Sequence, residues 1–139
     1  DNRTPLAHLI PQDLNAKVKV RRWEALADGI CDAAVGTMLE QRKSAEMQDV
    51  AFIERQMGKV TRGLEVLNEE LGKTKAVGKS NWCVNGTFSL ADVAVGCMLG
   101  YLNLRFSNTI NLAADYPNLE RLQLALLKRP SFKDSMPVA

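Results

Sequence analysis

One histidine, His8, and three cysteines, Cys31, Cys83 and Cys97, set the first limits on this chain. A single imidazole leaves no basis for a His-built metal centre, so no metal site is expected. The cysteines are odd in number and lack metal-ligand spacing. We expect all three to be reduced, as in a cytoplasmic protein. Cys31 and Cys97 fall in apolar helical runs, where a thiol behaves as a small hydrophobe. No basic group is placed to activate Cys31 as a nucleophile. The uncharged stretches, 93–102 among them, fall well short of the ~20 residues that a membrane span needs, so no membrane partner is expected. There is no secretory signal pattern. The net charge of +2 is too small to argue for nucleic acid. Lys73, Lys75 and Lys79 form a loose basic cluster without an aromatic comb, and they read as a solvated loop.

What is present points to one globular domain. A length of 139 residues, 46% hydrophobic and 24% charged, is enough to bury a core. The strongest local signal is Phe88-Ser89-Leu90-Ala91-Asp92. Ser followed three residues later by an acid is capping-box spacing: the hydroxyl accepts from the N–H of Asp92, and the carboxylate accepts from the N–H of Ser89. Phe88 and Val93 are spaced as a hydrophobic staple across that cap. The helix that follows, to about Leu104, is apolar almost all round and therefore internal. Ser89 and Asp92 are accordingly assigned to structure.

The remaining elements also read as helices. Pro11 suits the first turn of a long helix reaching Arg42. On it, Ala25, Gly29, Ala33 and Gly36 make a stripe of small residues, and Arg21, Glu24, Asp28 and Asp32 a polar row. Val50, Ile53, Met57, Val60, Leu64, Leu67 and Leu71 alternate spacings of three and four, which predicts a long amphipathic helix stopped near Gly72. Residues 72–88 read as a loop with a turn at Asn85-Gly86. A polar stretch leads to Tyr116-Pro117. A further helix follows to Lys128, with Leu119, Leu122 and Leu126 on one face, and a last turn lies near 131–135. No strand pattern rises above background. The expected fold class is all-α, a helical bundle of about five helices.

Three stretches together resemble the C-terminal, all-helical domain of cytosolic glutathione transferases over essentially the whole chain. They are Asn85-Gly86-Thr87-Phe88-Ser89-Leu90-Ala91-Asp92; Tyr116-Pro117-Asn118-Leu119 through Lys128-Arg129-Pro130-Ser131-Phe132; and Arg21-Arg22-Trp23-Glu24-Ala25-Leu26-Ala27-Asp28-Gly29-Ile30-Cys31-Asp32. The last is similar to bacterial members. The resemblance implies that residues 1–10 are an interdomain linker and 11–139 the helical domain. The catalytic residue would lie on an N-terminal thioredoxin-like domain that this sequence does not include. The chain begins at Asp1 rather than Met, in keeping with a piece of a longer polypeptide. The implied co-substrate is glutathione, the implied substrate a hydrophobic electrophile, and the implied assembly a homodimer.

By the same resemblance, Asp32 reaches across the dimer interface to the γ-glutamyl amine of glutathione, through a charge-assisted hydrogen bond. Read from the residues alone, it is a solvated helix acid. Asp28, one turn earlier, reads as structural, paired with Arg21 or Arg22. Met38 and Arg42 border the electrophile pocket by resemblance; read alone, Met38 is core and Arg42 is solvent-exposed. Trp23 borders an interface or is simply buried. The chain by itself is expected to be inactive. The rival reading is a non-enzymatic helical interaction module, a role for which helical domains of this type are also found in multi-protein complexes.

Overall fold

The computed structural model describes residues 8–78 and 80–138. The expected linker is therefore described only at its end, and Lys79 lies outside the described residues. Among the described residues there are six α-helices and one 3₁₀ turn: α1 (Leu14–Gln41), the turn Ala45–Met47, α2 (Val50–Gly78), α3 (Leu90–Phe106), α4 (Leu112–Asp115), α5 (Pro117–Leu127) and α6 (Pro130–Asp134). The all-α class read from the sequence is the class observed. The main helices fall where periodicity put them. The short α4 was hidden in the polar stretch, where Asn111 caps it by accepting from the N–H of Ala114 at 3.1 Å.

Pro11 lies outside α1. The helix starts instead at Asp13, whose carboxylate accepts from the N–H of Ala16 at 2.9 Å. Gly72 is not a stop either, because α2 continues to Gly78 and carries Lys73 and Lys75 as helical residues rather than loop residues. A Cβ at Gly72 would lie 2.7 Å from the side-chain nitrogen of Asn118, so glycine serves an approach to α5. At that approach Asn68 of α2 caps α5 from outside: its side-chain oxygen accepts from the N–H groups of Asn118 (2.9 Å) and Leu119 (3.2 Å). Asn118 returns a bond to the Asn68 carbonyl at 2.9 Å. No local side chain caps α5, so tertiary contact supplies partners that the helix start lacks.

α1 packs against both α2 and α3, and α5 closes the bundle against α2 and α3. Val60, Leu64, Leu67 and Leu71 of the periodic stripe are fully buried, together with Val95, Leu99 and Leu119. Burying such a Leu or Val contributes about 1.5–3 kcal/mol each before entropy is charged. Trp23 is buried. The stripe on α1 splits: Ala33 is buried and Gly36 meets Phe52, whereas Ala25 is exposed and Gly29 faces open space. Gly63 of α2 gives α1 room to pack, since a Cβ there would come within 2.5 Å of Ile30.

Candidate functional site

The polar residues singled out in the sequence separate into two places. The first is the start of α3. Ser89 and Asp92 form the capping box. The Asp92 carboxylate accepts from the Ser89 N–H at 2.9 Å. The Ser89 hydroxyl also accepts from the N–H of Ala91 at 3.3 Å. The sequence did not indicate a further partner: the other Asp92 oxygen accepts from the N–H of Cys83, nine residues back, at 2.8 Å. The box thus ties the preceding loop to the helix. Burial raises the Asp92 carboxyl above its ordinary range, against the lowering effect of the hydrogen bonds from Cys83 and Ser89. Burial also pushes the Cys83 thiol well up, with Asp92 adding to the shift. This cluster is closed to solvent and satisfied internally.

The loop before it turns on Asn85 (φ 51°) and Gly86 (φ 68°), with Thr87 N–H donating to the Val84 carbonyl at 3.1 Å. Two consecutive positive-φ residues make the tight turn that Asn-Gly favours. Phe88 is held by rings and charge: Trp82 meets it edge-on at 5.2 Å, and the Arg129 guanidinium lies 3.8 Å from its centroid.

The second place is the outer side of α1. Asp32 is exposed there, and no ion pair or side-chain hydrogen bond engages it among the described residues. Asp28 pairs with neither neighbouring arginine, because Arg21 bonds Glu24 at 2.9 Å and Arg22 bonds Glu70 of α2 at 2.7 Å. Met38 is half-buried, and its sulfur accepts from the Tyr101 hydroxyl of α3 at 3.4 Å. Arg42 is exposed at the C-cap of α1, one turn beyond Met38, and is not drawn into that contact. Cys31 sits half-buried, and burial first, then Asp32 and Asp28, push its thiol up, which suppresses the reactive thiolate.

Tyr101 belongs to a groove of about 940 Å³ along the open side of α3. Phe88, Cys97, Leu104, Phe132 and Met136 also line it. Cys97, in the apolar run of α3, is exposed there rather than packed inside. The run 93–102 is apolar all round, yet one strip of α3 is left uncovered. No group of three or more His, Cys, Asp or Glu among the described residues could hold a metal ion. No described helix is long and apolar enough to cross a membrane.

A buried, box-capped central helix flanked by two long helices, with an apolar groove along its open strip, defines an all-helical bundle domain. Comparison makes the family definite. Residues 50–122 match the family model for the glutathione S-transferase C-terminal domain. The chain superimposes with a TM-score of 0.89 on a glutathione S-transferase from Methylobacillus flagellatus with glutathione bound, at 56% identity over 98% of this chain and 64% of that one. A glutathione S-transferase from Methylobacterium radiotolerans, in complex with glutathione sulfonate, gives 0.87 at 37% identity over 99% of this chain and 62% of that one. The uncharacterized GST-like protein YibF of Escherichia coli is 35% identical over 131 residues, 93% of this chain and 60% of that protein. The chain belongs to the glutathione S-transferase C-terminal domain family. It spans less than two thirds of the length of these relatives.

Proposed function

We propose that this chain is the helical half of a dimeric glutathione transferase, with 1–10 as linker and 11–139 as the helical domain. The whole protein joins the glutathione thiolate to a hydrophobic electrophile or performs a glutathione-dependent reduction. The observation that carries this reading is the 56% identity, over nearly the whole chain, to a structure with glutathione bound. In this reading the catalytic residue lies outside the chain. The apolar groove along α3 seats the remainder of the protein, and the electrophile pocket opens at its α1 edge, bordered by Met38 and Arg42. Asp32 serves glutathione bound by the other subunit. Its support is chemical: an exposed carboxylate with no partner among the described residues is free to accept from an ammonium group.

The test uses the full-length enzyme with a chloronitrobenzene electrophile. Asp32→Asn keeps size and removes charge. The expected result is a KM for glutathione raised about tenfold, equivalent to ~1.4 kcal/mol, with kcat little changed, as for loss of a binding contact. An unchanged KM overturns the role of Asp32. Turnover by the 139-residue chain alone, above the uncatalysed rate, overturns the placement of the catalytic residue elsewhere.

A further inference from the structure

The turn before α3 holds a pair of groups that can react with each other. Asn85 and Gly86 are both exposed. Among the described residues, no hydrogen bond engages the Asn85 side chain or the Gly86 N–H. The side-chain carbonyl carbon of an asparagine is an electrophile, and the next backbone nitrogen is the nucleophile that closes a five-membered ring on it. Other asparagines of the chain have that nitrogen committed. The Trp82 N–H after Asn81 donates to the Ser80 hydroxyl at 3.1 Å. The Thr109 N–H after Asn108 donates to the Phe106 carbonyl at 3.0 Å. The Leu119 N–H after Asn118 donates to the Asn68 side chain at 3.2 Å. At Asn85 both partners are idle, and glycine puts no side chain in the way. Even a Cβ at Gly86 would meet Ser80 no closer than 3.6 Å, so the peptide has room to rotate. Lys19, Arg22 and Lys73 line the same surface hollow as the turn, with Glu70 bonded to Arg22 as the acid among them. That excess of positive charge favours the deprotonated amide that attacks.

We propose that Asn85 is a site of spontaneous modification, where the chain converts its own amide to aspartate and isoaspartate. A base takes the proton of the Gly86 N–H, and the nitrogen forms a bond to Cγ of Asn85. The bond from Cγ to Nδ2 breaks, and the amide nitrogen leaves as ammonia with that proton. Water then opens the ring. Opening at Cγ leaves an ordinary aspartate, and opening at the main-chain carbonyl leaves isoaspartate. One water is consumed, one ammonia is released, and nothing is oxidised or reduced. The isoaspartate product carries the main chain through the side chain and lengthens the turn by one carbon. The bond from the Thr87 N–H to the Val84 carbonyl, 3.1 Å, then loses its register. Cys83, tied to Asp92 at 2.8 Å, stands directly before this turn, so the modification loosens the clasp on α3.

The test ages the full-length enzyme in its folded state at neutral and at mildly alkaline pH. Peptide mass spectrometry reads the amide-to-acid mass increase, and enzymatic methylation of isoaspartate reads the rearranged product. Asn108, equally exposed but followed by threonine, is the internal comparison. Conversion at Asn85 is expected to be at least about tenfold faster than at Asn108 and to accelerate with pH. Asn85→Gly keeps a residue that accepts positive φ and removes the electrophile. Ageing should lower the thermal midpoint of the wild type and leave that of Asn85→Gly unchanged. Equal rates at Asn85 and Asn108 overturn the proposal. So does conversion at Asn85 only after unfolding in urea, because the native turn would then protect the site. Equal loss of midpoint in wild type and Asn85→Gly overturns the effect on the clasp.

Discussion

The two ends of the polar inventory behave in opposite ways. At the start of α3, Asp92 is buried and every bond it makes is to its own chain: Ser89, and Cys83 nine residues back. On the outer side of α1, Asp32 is exposed and bonds to nothing among the described residues. Both are acids on helices in a chain of modest charge. A buried carboxylate survives only where protein N–H groups replace water, so its partners are fixed and its role is stability. An exposed carboxylate keeps its water and stays available to another molecule. The contrast separates an acid that holds the domain together from one left open to another molecule.

The comparison breaks most sharply at Asp92. Asp92→Ala leaves the N–H groups of Cys83 and Ser89 buried without acceptors, and should cost about 3 kcal/mol in a urea denaturation midpoint. A midpoint within ~0.5 kcal/mol of wild type would mean that the loop is held by other contacts. The packed face of α2 against α1 and the open face of α1 can be set against each other with one substitution type. Gly63→Ala drives a Cβ to 2.5 Å from Ile30 and should destabilise by about 1–2 kcal/mol, overpacking partly offset by helix propensity. Gly29→Ala faces open space and should stabilise by up to ~1 kcal/mol, so opposite signs are the outcome to check.

Ser89→Ala removes the hydroxyl but leaves the carboxylate, and should cost about 1 kcal/mol by the same denaturation. Asp32→Asn should change stability by less than ~0.5 kcal/mol while altering glutathione kinetics in the whole enzyme. A large stability loss there would move Asp32 to the structural side of the contrast. The smallest effect concerns pH. The folded Asp92 carboxyl titrates above its unfolded value near 3.8, so the folded state binds that proton more tightly. Its contribution is fully present below the unfolded value and is lost as pH rises through the raised one. Stability of the wild type relative to Asp92→Asn should therefore fall with rising pH across that window, and a rise would reverse the assigned direction.

Much of the fold was legible in the sequence because its signals are local. The three–four spacing of Val60, Leu64, Leu67 and Leu71 reports one buried face regardless of what covers it. Ser89 and Asp92 declare a helix start through atoms three residues apart. The cap of α5 was not legible: its acceptor, Asn68, lies fifty residues from Asn118, and nothing local links them. Gly72 resembled a stop for the same reason, since a glycine that admits a neighbouring helix has the same letter as one that ends its own. At the candidate site, Asp32, Met38 and Arg42 were named from resemblance. Tyr101, which meets Met38, was not named, because within an apolar helix it looked like any other core residue.

The sequence by itself determined the class, the long helices and the box that opens the buried one, because backbone hydrogen bonding and helical period act within a few residues. Only the tertiary structure decided which strip of α3 stays open, that Asn68 caps α5, and that Asp92 also holds Cys83. Those outcomes depend on which distant surfaces meet, and side-chain packing across helices is not encoded in any short stretch of chain.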